Sequence, residues 1–271
     1  MTPYVRLALR VSSFLCAFAL IPVSSAQDRS FVETANATNL SLLVGVSHGL
    51  PGIDKDVDNA EAIGINDHYK FTSTRLMDKE GTAKAVKQNL TDVASKVSDN
   101  GTFFFYYSGH GDKGSIYVQD RLVYIEDIRD AVKAGRAGKS PLARMVMIFD
   151  SCYSGSLLEP LRKFFDMPEV DERDQAVALA DNVTRIMQGD LRDEPYWQKL
   201  FVFASSRADE TSLAGSDGSV FTVAMKKAFD EVSAAGGTMD NFVTTTQNYT
   251  KGHHPVARLV PAEMSNEKLI P

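Results

Sequence analysis

The 271-residue sequence predicts an α/β fold, a mostly parallel sheet with helices on both faces, from three observations. Largely apolar runs recur near 40–46, 102–107, 143–149 and 200–204, as in strands covered on both sides. Stretches with apolar residues three and four apart separate these runs, as amphipathic helices do. No internal repeat or low-complexity tract interrupts the alternation. Ligand sites in such a sheet lie at the carboxyl ends of the strands.

Leu40 to Val46, closed by Ser47 and Gly49, opens the sheet. Asp56 is placed to cap a helix carrying Val57, Ala60 and Ile63, with Gly64 near its end. A second strand is expected from Phe71 to Met77. Thr82 caps a clearer helix, with Ala83, Val86, Leu90, Val93 and Val97 on one face, and Asn100-Gly101 turns the chain into strand 102–107. Ile116 to Tyr124 reads as a hairpin turning at Gln119-Asp120, followed by a short helix through Ile125, Ile128 and Val132. After strand 143–149, residues 156–199 change character. They are densely charged, contain Pro160, Pro168 and Pro195, and read as a long insertion with one helix at 174–187. Strand 200–204 and helices from Ser219 to Val232 and from Thr238 to Tyr249 complete the pattern.

The first residues carry Arg6 and Arg10, an apolar stretch from Val11 to Val23 and then Ser24-Ser25-Ala26, the layout of a secretory signal peptide. The apolar stretch falls short of the roughly 20 residues that cross a bilayer. Ser13-Phe14-Leu15-Cys16 lacks the small residue expected before a lipidated cysteine, so no stable membrane anchor is expected. The reading is thus signal peptide 1–26, linker 27–38, domain 39–260 and tail 261–271, in a protein bound for the periplasm or the extracellular space. Cleavage after Ala26 leaves about 245 residues, enough for one domain with a substantial core. Net charge is −6 for the whole chain, with acids scattered rather than blocked, which argues against nucleic acid as a partner.

Export leaves Cys152 without a disulfide partner, because the other cysteine, Cys16, lies in the export segment. Cys152 follows the apolar run Met145-Val146-Met147-Ile148-Phe149 within Asp150-Ser151-Cys152-Tyr153-Ser154-Gly155. An unpaired thiol where a buried strand emerges reads as a nucleophile. Upstream, 102–107 ends in Ser108-Gly109-His110-Gly111, so two strand tips offer a thiol and an imidazole together. A thiolate attacks a carbonyl, and the imidazole takes the thiol proton and returns it to the leaving amine. Backbone N–H groups of Gly111 and Cys152 are candidates for the oxyanion hole, Gly111 through a tight turn beside His110. The bland alternatives are a small buried cysteine and a satisfied or exposed histidine. His48, His68, His253 and His254 are left to that reading. His253-His254 has no nearby acid, and no metal site is expected.

Tyr107-Ser108-Gly109-His110-Gly111 and Asp150-Ser151-Cys152-Tyr153-Ser154-Gly155 resemble the His and Cys motifs of the caspase and metacaspase superfamily. The resemblance extends to Leu50-Pro51-Gly52-Ile53-Asp54-Lys55-Asp56, to Ala204-Ser205-Ser206-Arg207-Ala208-Asp209-Glu210 and to Val220-Phe221-Thr222, and so covers residues 39 to 232. It implies a caspase-like three-layer α/β/α sandwich and a Cys152–His110 dyad hydrolysing peptide bonds of peptide or protein substrates. It also implies a pocket for the residue before the cut at Asp56, Ser108 and Asp150. Two carboxylates there favour a guanidinium or an ammonium, so cleavage after Arg or Lys is expected. Asp56 as a plain helix cap and Asp150 as a brace for the turn are the bland alternatives. The insertion occupies the place of a cuttable linker in the family and holds Arg162, Lys163, Arg173, Arg185 and Arg192, which suggests self-cleavage, with an ordinary charged surface insertion as the bland alternative. Many metacaspases need calcium. Asp112 and Asp120 are too sparse for a cage of six to eight oxygens, so calcium dependence is not supported and no cofactor is expected. Two rival readings stand beside the peptidase: a catalytically silent caspase-fold module that binds peptides or a partner, and a different thiol hydrolase or acyltransferase. The latter would not need Asp56 and Asp150 to converge.

Overall fold

The computed structural model describes residues 38–65, 69–112, 114–151, 187, 196–206 and 212–270. The signal peptide, Cys152, most of the 156–199 insertion with its expected helix, Arg207 to Glu210 and His68 lie outside the described residues. Six strands form the central sheet: β1 (Leu40–Val46), β2 (Thr72–Met77), β3 (Thr102–Gly109), β7 (Leu142–Ser151), β8 (Trp197–Ala204) and β9 (Val256–Val260). Their spatial order is β2-β1-β3-β7-β8-β9, with β2 to β8 parallel and β9 antiparallel at the edge. Three short strands, β4 (Gly111–Asp112), β5 (Ser115–Tyr117) and β6 (Leu122–Tyr124), form a second, antiparallel sheet. Five α-helices lie among the described residues: α1 (Ile53–Gly64), α2 (Ala83–Lys96), α3 (Ile125–Gly135), α4 (Val220–Ala234) and α5 (Met239–Tyr249).

Side chains alternate across a strand, and this divides the core in two. Phe103, Phe105 and Tyr107 of β3 join Met145 and Met147 of β7 on the face covered by α2 and α3. Phe104 and Tyr106 join Val146 and Ile148 on the other face, covered by α1, α4 and α5. The sheet is therefore apolar on both sides, as the largely apolar runs require. The same alternation carries Ser108 and Asp150, cross-strand partners in register, to the face of α1 and α4. The layers form an α/β/α sandwich.

Helix α1 departs from the sequence reading. It begins at Ile53, behind Gly52 in a left-handed conformation (φ 73°), so Asp56 is not its cap. A Cβ on Gly52 would stand 1.9 Å from the Gly215 carbonyl oxygen and 2.8 Å from Gly218 N, so glycine lets the loop before α4 close onto the start of α1. Ile53, Asp56, Val57, Ala60 and Ile63 share the buried face at helical spacing, which turns Asp56 inward. Thr82 and Ser219 do cap α2 and α4, accepting from Ala85 N and Thr222 N.

Strand β9 and the segment after it were not read as structure in the sequence. The segment read as a tail packs against the domain: Met264 and Leu269 are buried, and Leu269 N–H donates to the Gly237 carbonyl at 2.9 Å. Glu267 pairs with Lys199 and, at 3.4 Å, with the fully buried Arg144, which neutralises charge beneath the sheet. Among the described residues no helix is long and apolar enough to cross a membrane.

Candidate active site

The site is built at the carboxyl ends of β3 and β7. Gly109 and Ser151 are register partners there, and in the sequence they are followed by His110 and Cys152. Cys152 itself lies outside the described residues. The tip of β7 that leads to it is tied down, because Ser151 N–H donates to Ser205 Oγ (3.2 Å) and the hydroxyls of Ser205 and Ser206 donate to its carbonyl (3.3 Å each).

His110 is half-buried, and its backbone is held from below. The Tyr107 hydroxyl reaches the carbonyls of His110 (2.6 Å) and Tyr117 (2.9 Å), and Tyr117 N–H also donates to the His110 carbonyl (2.9 Å). This arrangement needs a glycine at 109, where φ is 154° and a Cβ would come within 2.6 Å of both the Tyr107 hydroxyl and the Val46 carbonyl oxygen. The conformational demand falls on Gly109 and not on Gly111, which lies in strand β4 opposite Ile116. Gly109→Ala is expected to lower stability by about 1–3 kcal/mol through overpacking and a strained backbone. It should also reduce peptide turnover more than this loss of folded protein explains, which thermal unfolding and kcat/KM measured together will check.

Asp56, Ser108 and Asp150 meet in one tight pocket, with about 10 Å³ open to a water-sized group, walled by Leu50, Ile53, Gly109 and Ala214. Both acids are buried, at 0% and 3% exposure. Asp56 accepts from Ser108 Oγ (2.8 Å) and from Ser219 N–H (2.6 Å). Asp150 accepts from Ser212 Oγ (2.8 Å), Thr222 Oγ1 (2.6 Å) and the Ser219 hydroxyl. The Tyr106 hydroxyl lies 2.7 Å from Thr222 Oγ1 and completes the chain. Burial first, and the charge of Asp150 second, push the Asp56 carboxyl up to about 7, against the opposing pull of the Ser219 and Ser108 bonds. Burial likewise holds the Tyr106 phenol far above its usual range, with both aspartates adding to the shift. Ser219 and Thr222 belong to the first turn of α4, whose positive end favours negative charge beside it.

Three features were not legible as site residues in the sequence. Ser212, Ser219 and Thr222 stand 62 to 72 residues from Asp150 and reach it only through the fold. The cap at Ser219 was readable, but its bonds to two acids were not. His48, left to the bland reading, brings its ring centroid to 6.5 Å from that of His110 and 4.9 Å from Tyr117, with Nε2 3.2 Å from the Val118 carbonyl. Asp120, weighed for calcium, accepts from Ala83 N–H at 2.7 Å at the start of α2. His253 and His254 lie in the turn before β9, away from β3 and β7 in the sheet order. Among the described residues no three His, Cys, Asp or Glu side chains are grouped to hold a metal ion.

Comparison with known proteins gives the family. Residues 38–257 match the profile of the caspase domain, and the chain belongs to that peptidase family. It is similar to Metacaspase-1 of Lodderomyces elongisporus, with 28% identity over 158 residues, 47% of this chain and 35% of that protein. Metacaspase-1 of Candida albicans shows 28% identity over 142 residues, 43% of this chain and 32% of that protein. The chain spans about a third of the length of these relatives. A solved structure from Geobacter sulfurreducens shares the fold, with a TM-score of 0.61, 15% identity, and coverage of 86% of this chain and 98% of that one.

Proposed function

We propose that the protein is an exported cysteine endopeptidase that cuts after Arg or Lys. The observation that carries this reading is the convergence of Asp56, Ser108 and Asp150 in one buried pocket, on strands that lead directly into His110 and Cys152. In this reading the basic side chain enters the pocket, its methylenes lie along Leu50, Ile53 and Ala214, and its cation meets the carboxylates. Its carbonyl then lies before Cys152. The sulfur attacks the carbonyl carbon while His110 takes the thiol proton, and the oxyanion faces the N–H groups of Gly111 and Cys152. The C–N bond breaks as His110 returns the proton to the amine, and water attacking the thioester restores the thiol. A thiol acyltransferase would not need two carboxylates in its pocket, so their convergence favours the peptidase.

Fluorogenic peptides ending in Arg, Lys, Asp or norleucine, with and without calcium, test the reading. Release from the Arg and Lys peptides alone is the expected result. No release from any of them would favour a silent peptide-binding module. The same proteins incubated without substrate report on self-processing: new bands from wild type within 156–199, absent from Cys152→Ala, are expected, and an intact wild-type band would remove self-cleavage. Export is supported by the layout of residues 1–26 and predicts a mature chain beginning after Ala26.

A further inference from the structure

The two pocket acids are joined through a single residue. Ser219 gives its backbone N–H to Asp56 and its hydroxyl to Asp150, while the same Oγ accepts the Thr222 N–H (2.9 Å) that starts α4. Among the described residues no lysine, arginine or histidine forms an ion pair with either acid. Two buried carboxylates without a cation cannot both hold their charge cheaply.

We propose that Ser219 is a specificity-determining residue, holding Asp56 and Asp150 as a pair that keeps one proton while empty and releases it when a guanidinium or ammonium enters. This rests on the reading of the pocket as the one that takes basic side chains. The proton belongs to Asp56: the structure shows Ser108 Oγ donating to Oδ2 at 2.8 Å, as to a charged carboxylate, and in the protonated pair this bond runs in reverse, from Oδ2 to Ser108 Oγ. When the cation arrives, this O–H bond breaks and the proton passes to solvent. The Ser108 hydroxyl then turns to donate, and the carboxylate takes N–H bonds from the substrate.

The surroundings leave Asp56 as the group that titrates. From β7 it faces Asp150, and from β3 Ser108 and Tyr106, whose phenol stays protonated and touches the pair through Thr222. From α4 and the loop before it come the hydroxyl and N–H groups of Ser212, Ser219 and Thr222, while Asp217 of that loop is exposed. On α1 itself, Asp54 and Lys55 are exposed and pair with each other at 3.8 Å. His110 lies two residues beyond Ser108 and is separated from Asp56 in the tests below.

Calorimetric binding of N-acetyl-arginine amide to the Cys152→Ala protein, in two buffers of different ionisation enthalpy, counts the proton. About half a proton per ligand is expected to be released at about pH 7, close to one at about pH 5.5 and almost none above about pH 8.5, with affinity falling about tenfold per pH unit on the acid side. Asp56→Asn in the same background should abolish the release, whereas release from His110 would survive it. Ser219→Ala, which loses the bond to Asp150 and the cap, should weaken binding about tenfold or more and change the proton count, and Ser219→Thr, which keeps both, should restore them. Binding without proton release at any pH overturns the proposal and leaves the basic pocket standing. Ser219→Ala binding with the parent's affinity and proton count overturns the role of Ser219. If Ser219→Ala does not fold, the parent's count and Ser219→Thr decide. No binding at any pH by a folded parent removes the pocket reading and the proposal with it.

Discussion

Cys152→Ala and His110→Ala are each expected to lower turnover of an Arg-ending peptide by about 10⁴-fold or more, with little change in thermal unfolding. The size follows from chemistry. Without the sulfur no acyl-enzyme forms, and without the imidazole neither the thiol proton nor the leaving amine has a partner. For His110 the small effect on stability follows from the structure, since its hydrogen bonds among the described residues run to its carbonyl from Tyr107 and Tyr117. In the proposed mechanism the two side chains act as one unit, so the double variant should lose little beyond either single change, and additive losses would argue against a dyad. A His110→Ala enzyme of near wild-type kcat would end the peptidase mechanism.

Asp56→Asn is expected to cut kcat/KM for Arg and Lys peptides by about 30- to 4,000-fold, the range for removing one partner of a buried charge pair worth about 2–5 kcal/mol. Asparagine keeps the volume and can still accept from Ser219 N–H, so the loss reports charge. Cleavage after norleucine should be nearly unaffected, which makes the Arg-to-norleucine ratio the measurement that checks it. An unchanged ratio would place the basic residue elsewhere.

The same substitution should alter the pH dependence of folding. Asp56 in the folded protein holds its proton up to about 7, from an ordinary value of 3.8. Between these values the folded state binds a proton that the unfolded state has lost, so this group's contribution is fully present below about pH 4 and is lost as pH rises to about 7. Denaturant unfolding of the empty protein should show that loss, on the order of a few kcal/mol. Asp56→Asn should remove it, and an Arg ligand should offset it.

Much of the fold could be read in the sequence because strands buried on both faces announce themselves as largely apolar runs, as at 40–46 and 102–107. Strand β9 escaped because Val256–Val260 is a half-exposed edge with Arg258 in its middle, and local composition describes such a strand weakly. Asp56 looked like a helix cap because an acid ahead of an apolar periodic run is the usual sign of one. The closure of Gly52 against Gly215, which starts the helix four residues earlier and turns Asp56 inward, is a contact across more than 160 residues.

The sequence alone determined most of the elements, the order of the His and Cys motifs and their place after apolar strands, because apolar periodicity and turn chemistry are local properties of the chain. Tertiary structure alone decided that Asp56 faces Asp150, that one serine at the start of α4 holds both, and that the Asp56 carboxyl is carried up to about 7. The physical reason is that desolvation and the repulsion of like charges depend on what surrounds a group in space, and those neighbours come from three distant segments of the chain.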